Sequence, residues 1–207
     1  MKPRRQKLVL ATHNPDKQIE LSAVLSDLDV VVIGLEDYPE IGEIPEDGDT
    51  LLENSLIKAR TVHRKTGLPS IGDDTGLEVE ALDGAPGIYS ARFAGKDASY
   101  LDNVQKLLSK LDGVSEIDRK AKFRTVISLV FDSKTELWTE GFIEGNITTE
   151  KRGEEGFGYD PIFEVPHLGK TFSELTLSEK NKISHRSKAL KKMKVELIRI
   201  FKERRNK

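Results

Sequence analysis

The chain has 207 residues, 37% hydrophobic and 33% charged, with a net charge of −2, enough length to bury a core in one domain or a tightly fused pair. It has no cysteine, which excludes disulfides, thiol nucleophiles and zinc–thiolate sites and fits a reducing cytoplasm. No apolar run approaches the ~18 residues of a membrane span, and the basic start MKPRRQK precedes only about five apolar residues, too few for a signal-peptide core.

Lys7 to Ala11 predicts a short buried strand. Thr12-His13-Asn14-Pro15-Asp16-Lys17 then makes a polar turn, with Pro15 suited to a first helical position. Ile19, Leu21, Val24, Leu25 and Leu28 carry helical periodicity, and Val30 to Ile33 is a second continuous apolar strand. Strand, loop, helix and strand in that order predict a βαβ unit with parallel pairing. A loop at a helix N-terminus, with Thr12, Asn14 and the Lys17 ammonium nearby, suits a phosphate. It lacks the glycines and the Gly-Lys-Thr ending of a Walker A loop, and an ordinary cap with a surface lysine explains it equally well.

An acidic loop, Glu36 to Asp49, follows. Thr50-Leu51-Leu52-Glu53 has the form of a capping box opening a helix through Lys58 to about Lys65. Ser70-Ile71-Gly72 predicts a short strand ending at the turn Asp73-Asp74-Thr75-Gly76. Paired carboxylates at a strand end can hold Mg²⁺ through oxygen, and one of them can take a proton from water. The same four residues also make a serviceable turn. Glu46, Asp47, Asp49 and Glu53 offer further oxygen ligands, and Lys58 lies on the helix that Glu53 opens.

Residues 99–111 predict a helix with Tyr100, Val104, Leu107, Leu108 and Leu111 facing inward, stopped by Gly113. From Lys120 to Phe131 the pattern alternates, with Ala121, Phe123, Thr125, Ile127, Leu129 and Phe131 on one side. With Leu137 to Ile147 this predicts a long antiparallel hairpin across Asp132-Ser133-Lys134. The fold class that results is α/β: a mixed, mainly parallel sheet flanked by helices, the hairpin extending into a second lobe, with a cleft between lobes to take a ligand.

In GEEGFGYDPIFE (153–164), Gly156 and Gly158 bracket Phe157, so a flexible backbone presents one aromatic face. Tyr159, Asp160 and Pro161 fix a polar turn after it. Twenty residues further on, Ser184-His185-Arg186 offers donors for carbonyls or phosphates. Together these segments suit a planar heterocycle with a charged tail. Residues 180–207 hold twelve Lys and Arg against two acids, which raises nucleic-acid binding. However, Leu190, Met193, Leu197 and Phe201 fall at helical spacing, so most of this stretch predicts an amphipathic helix docked on the body. The acidic remainder is a poor partner for a nucleic-acid backbone. The four histidines, His13, His63, His167 and His185, have no zinc-ligand spacing, and no Gly-X-Ser-X-Gly elbow is present. The chemistry on offer is carboxylate, lysine and metal, which suits phosphoryl or nucleotidyl hydrolysis.

Six motifs in order resemble the noncanonical purine nucleoside triphosphate pyrophosphatases, the inosine triphosphatase or Ham1-like family. They are Thr-His-Asn-Pro-Asp-Lys (12–17), Thr-Leu-Leu-Glu-Asn-Ser-Leu-Ile-Lys-Ala (50–59), Asp-Asp-Thr-Gly-Leu (73–77), Pro-Gly-Ile-Tyr-Ser-Ala-Arg-Phe-Ala-Gly (86–95), Gly-Phe-Gly-Tyr-Asp-Pro (156–161) and Ser-His-Arg (184–186). The resemblance implies that residues 1–207 form a single two-lobed domain. It implies hydrolysis of ITP, dITP and XTP to the monophosphate and pyrophosphate with Mg²⁺, in a cytoplasmic homodimer that binds neither nucleic acid nor membrane. Asp74 matches the family's proton acceptor and metal-binding acid, and Glu46 a second metal ligand. Lys17 and Lys58 join Asp74 in catalysis by neutralising the triphosphate. Thr12, His13, Asn14, Pro15, Asp16 and Lys17 match the triphosphate loop, and Thr75 stands where many relatives carry serine. Phe157 matches the residue that stacks on the base, and Gly158, Tyr159, Asp160, Lys180, His185 and Arg186 match the base and sugar end. The implied account needs Asp74 and Phe157 to line one groove. A Maf-like pyrophosphatase shares the lysine-bearing loop and the acids, but Phe157 and Ser184-His185-Arg186 fit it poorly.

Overall fold

The computed structural model describes residues 5–205; the ends of the basic start and of the basic tail, residues 1–4 and 206–207, lie outside the described residues. Among the described residues the strands form one mixed sheet of eight. β1 (Gln6–Leu10) and β2 (Val30–Ile33) flank helix α1 (Pro15–Val24), and they pair in parallel from Gln6 opposite Val30 to Val9 opposite Ile33. The βαβ expectation is met, except that α1 ends at Val24, with Leu25 as its C-cap and Leu28 beyond it. Asn14 caps α1, its side chain accepting from the Asp16 N–H, and Pro15 takes the first turn, where its missing N–H costs nothing.

Helix α2 (Leu51–Thr66) starts on Thr50, whose hydroxyl accepts from the Glu53 N–H. The capping box is only half formed, because the Glu53 carboxylate accepts from Asp49 N–H. At the other end Gly67 sits at φ 68°, the left-handed C-cap that glycine adopts without strain. Strand β3 (Ser70–Val79) corrects the sequence expectation: it does not end at Asp73 but runs through Asp73-Asp74-Thr75-Gly76. Aspartate is a poor strand former, and it is tolerated here because buried cations meet both carboxylates. β3 also pairs in parallel with β1, and Gly72 lets the backbone of α2 come close. A Cβ at Gly72 would stand 1.9 Å from the Ser55 carbonyl oxygen.

The sheet order is β2-β1-β3-β5-β6-β7-β8, with the short β4 (Pro86–Gly87) on β3. β5 (Lys120–Asp132) and β6 (Thr135–Ile147) are sheet neighbours joined by Ser133 and Lys134. β3–β4, β6–β7 (Phe163–Val165) and β7–β8 (Lys170–Thr171) are antiparallel, so antiparallel pairing has a larger share than a mainly parallel sheet implies. Helix α3 (Tyr100–Lys110) has the full capping box of Ser99 and Asp102. Val104, Leu107 and Leu111 are buried as predicted, whereas Tyr100 is half exposed. Two helices end the chain, α4 (Leu177–Ile183) and α5 (His185–Arg205).

The chain divides into two compact units, each with its own apolar core. The first comprises residues 1–74, 125–141 and 186–207. Its larger core joins Leu8 and Leu10, Leu21 and Leu25, and Ile127 and Leu129 to the inner stripe of α5, Leu190, Met193 and Leu197. The basic C-terminal stretch is therefore a docked amphipathic helix. The second unit comprises residues 75–124 and 142–185. It is built on an aromatic nest in which Phe123 lies 4.6 Å from Phe163 and 6.0 Å from Phe172 between ring centroids. No described helix is long and apolar enough to cross a membrane.

Candidate active site

In the first unit the Thr12–Lys17 loop is held by its own polar side chains. Thr12 Oγ1 accepts from the Asn14 N–H at 3.2 Å, Asn14 caps α1, and His13 Nε2 lies 3.0 Å from the Gly42 carbonyl oxygen. A cavity of about 220 Å³ opens beside it, lined by Thr12, His13, Glu43, Glu46 and Lys58 among others. The loop brings Thr12 and His13 to this cavity, and its lysine is Lys58 from α2; Lys17, the cation expected from the loop, is paired with Asp73 instead.

Successive strand residues point to opposite sheet faces, and the two aspartates of β3 have different partners accordingly. Asp74 Oδ1 is 2.6 Å from Lys58 Nζ on α2, and the same ammonium is 2.9 Å from Glu46 Oε1. Two carboxylates share this one ammonium. Burial pushes the Asp74 carboxyl above the usual carboxylate range; Lys58 opposes the shift and Glu46 adds to it. Burial works against the Lys58 ammonium, but Asp74 and then Glu46 outweigh it and raise its pKa. The Glu46 side chain keeps 28% of its surface exposed, against 8% for Asp74, so solvent reaches the cluster from the Glu46 side. Two hard oxygen donors and access to water suit a divalent cation that retains part of its hydration shell. Among the described residues no group of three or more His, Cys, Asp or Glu is arranged as a metal cage, so such an ion would draw its other ligands from water or substrate.

Asp73 faces a different set. Arg186 at the start of α5 donates from Nε to Asp73 Oδ2 at 2.7 Å and from NH1 to Glu20 Oε2 at 2.9 Å. Lys17 Nζ is 2.6 Å from Asp73 Oδ1 and also donates to the Asp73 carbonyl oxygen at 3.2 Å. Two carboxylates meet two cations here, and the charges balance. Burial acts against the Asp73 anion, yet Arg186 and then Lys17 hold its carboxyl far below the usual range. Burial is also the largest influence on Lys17, and it lowers the ammonium pKa against the pull of Asp73. Glu20 is the member that sequence reading missed. Its spacing of three from Lys17 on α1 is the signal of a shared helix face.

In the second unit the Phe157 loop is built around Asp160. Asp160 Oδ2 accepts from the Phe157 N–H at 2.9 Å and from Lys180 Nζ at 2.7 Å, both side chains of that ion pair being buried. Lys180 Nζ lies 4.8 Å from the centroid of the Phe157 ring, and Tyr100 tilts beside that ring with centroids 6.0 Å apart. Gly156 is at φ 78°, and a Cβ there would fall 2.2 Å from Asp160 Oδ2. The Tyr159 hydroxyl donates to the Ser90 carbonyl oxygen at 2.9 Å, and burial pushes its pKa upward. His185 is buried and stacked on Phe123 at 4.5 Å with a 10° angle between rings.

Of the residues picked out by sequence, Thr12 to Lys17, Glu46, Lys58, Asp74 and Arg186 belong to the first unit. Thr75, Phe157, Gly158, Tyr159, Asp160, Lys180 and His185 belong to the second. Thr75 is half-buried on β3 and Gly158 is at φ 63°. Arg186, matched by resemblance to the base and sugar end, has its guanidinium on Asp73 and Glu20.

An acid pair sharing one lysine, a capped loop at a helix N-terminus and a cradled aromatic ring are the components of a nucleotide-handling α/β protein. The chain belongs to the Ham1 family, whose model matches residues 8–196. It is 48% identical over 198 residues to the dITP/XTP pyrophosphatase of Thermoanaerobacter sp. (strain X514), covering 96% of this chain and 100% of that one. It is 46% identical over 194 residues to the protein of the same name from Vibrio parahaemolyticus, covering 93% and 96% respectively. Among solved structures it is similar to a HAM1 protein from Coxiella burnetii, with a TM-score of 0.85, 41% identity and coverage of 94% of this chain and 99% of that one.

Proposed function

We propose that the protein hydrolyses noncanonical purine nucleoside triphosphates (ITP, dITP and XTP) to the monophosphate and pyrophosphate, removing them from the nucleotide pool. The observation that carries this reading is the Glu46–Lys58–Asp74 cluster, whose Glu46 and Lys58 line one cavity with Thr12 and His13. It is supported by kinship with proteins named dITP/XTP pyrophosphatase.

In this reading Asp74 is the general base. A carboxylate whose pKa is raised by burial is better matched to taking a proton from water near neutral pH than an exposed one. Water is oriented on Asp74 for in-line attack at the α-phosphorus, and pyrophosphate departs with Lys17 and Lys58 offsetting its charge. Glu46 and Asp74 would hold Mg²⁺, which supplies charge neutralisation and Lewis acidity at the phosphates. The Thr12–Lys17 loop takes the phosphates, and Phe157 stacks on the purine, with Thr75, Gly158, Tyr159, Asp160, Lys180 and His185 shaping the surroundings of that ring.

Selection rests on purine position 6. Hypoxanthine and xanthine present a carbonyl acceptor there, whereas adenine presents an amino donor; guanine shares the carbonyl and is excluded at its 2-amino group, by crowding or an opposed donor. Donors at the base end, His185 and nearby amides, satisfy the first and are opposed by the second, at about 1–3 kcal/mol for each unmet hydrogen bond. The protein acts in the cytoplasm as a homodimer. The deciding experiment measures pyrophosphate release from ITP, dITP and XTP against the four ordinary ribonucleoside triphosphates, with and without Mg²⁺, with sedimentation equilibrium for the dimer. The expected result is Mg²⁺-dependent turnover with kcat/KM for ITP at least tenfold above ATP and GTP. Equal rates on ITP and ATP would refute the selectivity, and no pyrophosphate from any of them would refute the activity.

A further inference from the structure

The buried network around Asp73 performs no step in the mechanism above, yet one of its members, Lys17, carries charge for the phosphates. We propose that Asp73 is a positioning residue for Lys17, an inference that rests on the pyrophosphatase reading. Asp73 meets the ammonium twice, through Oδ1 at 2.6 Å and through its own backbone carbonyl at 3.2 Å. A lysine carries its ammonium on a flexible four-carbon stem and loses rotamer freedom when it is fixed. Two contacts to one rigid strand residue restrict that freedom before substrate arrives.

Asp73 is itself immobilised. Arg186 donates to both of its carboxylate oxygens, at 2.7 Å from Nε and 3.4 Å from NH2, and Glu20 holds the far side of the same guanidinium at 2.9 Å. The chain of contacts Glu20–Arg186–Asp73–Lys17 thus begins and ends on α1, three residues apart, and passes through β3 and α5. It fixes the lysine relative to the helix N-terminus from which the phosphate loop is built. Glu20 and Asp73 differ in one respect: both hold Arg186, but of these two the ammonium is bonded to Asp73.

That difference makes the test. In Asp73→Asn the competitive inhibition constant for inorganic pyrophosphate rises about tenfold and kcat/KM for dITP falls by tenfold or more. In Glu20→Gln the protein melts at lower temperature while pyrophosphate inhibition stays within twofold of wild type. If both variants shift pyrophosphate inhibition equally, or Asp73→Asn leaves it unchanged, Asp73 is only part of the scaffold and the proposal is overturned.

Asp73→Asn leaves an excess buried cation and risks misfolding. The double variant Lys17→Met/Asp73→Asn removes one charge of each sign and keeps the network balanced. Its activity should equal that of Lys17→Met alone, whereas a further loss of tenfold would show that Asp73 acts independently of Lys17. Should the wild-type protein release no pyrophosphate from any purine triphosphate, the activity reading fails separately. Calorimetric binding of pyrophosphate to the same variants then decides the role of Asp73.

Discussion

Lys58–Asp74 in the first unit and Lys180–Asp160 in the second each bury a lysine against an aspartate, and these two contacts serve different ends. Lys58 is divided between Asp74 and Glu46, and its cluster opens to solvent through Glu46. Lys180 meets Asp160 in a fully buried pair whose carboxylate also takes the Phe157 N–H. A buried ion pair is seldom the most stabilising way to fill a core. The shared lysine instead leaves a second, solvent-reached carboxylate beside Asp74. The balanced pair spends both charges on the shape of a loop. Disturbing the first should therefore harm chemistry more than folding, and disturbing the second should harm folding first.

Asp74→Asn is the most severe test of that contrast. It removes one of two carboxylates from Lys58 and leaves the lysine paired with Glu46, so no buried charge is orphaned. Turnover should fall by about 10³-fold or more, with circular dichroism and melting temperature near wild type. Near-normal kcat would remove Asp74 from the mechanism. Lys180→Met reverses the pattern, because an Asp160 carboxylate that is 4% exposed loses its counter-ion. Breaking a buried pair from one side costs about 3–5 kcal/mol, measurable as a lower urea midpoint. A fall in kcat with unchanged stability would contradict the division of labour.

The sequence made the locally determined parts legible. Pro15 announces the start of α1, Thr50 that of α2, and the apolar stripe of Leu190, Met193 and Leu197 the docked face of α5, because each signal lies within one or two helical turns. The glycines around Phe157 likewise marked the loop that Asp160 organises. The illegible parts are pairings between distant residues. Arg186 reaches Asp73 across 113 positions and Glu20 across 166, and no periodicity encodes such a choice. The same cause hid the length of β3. Asp73-Asp74 resembles a turn until the cations that neutralise each side chain are known to lie on opposite faces of the strand. Tyr100 fits the inward stripe of α3 by spacing, but its place at the first turn brings it beside Phe157, half exposed.

Gly156→Ala makes a smaller disturbance of the balanced pair. The new Cβ would stand 2.2 Å from Asp160 Oδ2 on a backbone at φ 78°, so the carboxylate must shift or the loop must refold. A loss of about 1–3 kcal/mol in stability is expected, together with a raised KM, since the carboxylate that holds the Phe157 N–H is the one displaced. Wild-type KM in a destabilised variant would separate the loop from substrate binding.

Phe157→Ala should have the smallest effect, and it addresses recognition alone. The ring is half-buried, and Lys180 near its face keeps the Asp160 contact when the ring is removed. Stacking of a base on an aromatic ring contributes about 1–3 kcal/mol, so KM for ITP should rise roughly tenfold with kcat within a few-fold. Phe157→Tyr, which keeps the π face, should restore most of the affinity. If kcat falls as far as it does in Asp74→Asn, ring and carboxylate act on the same step, and the separation of chemistry from recognition is wrong.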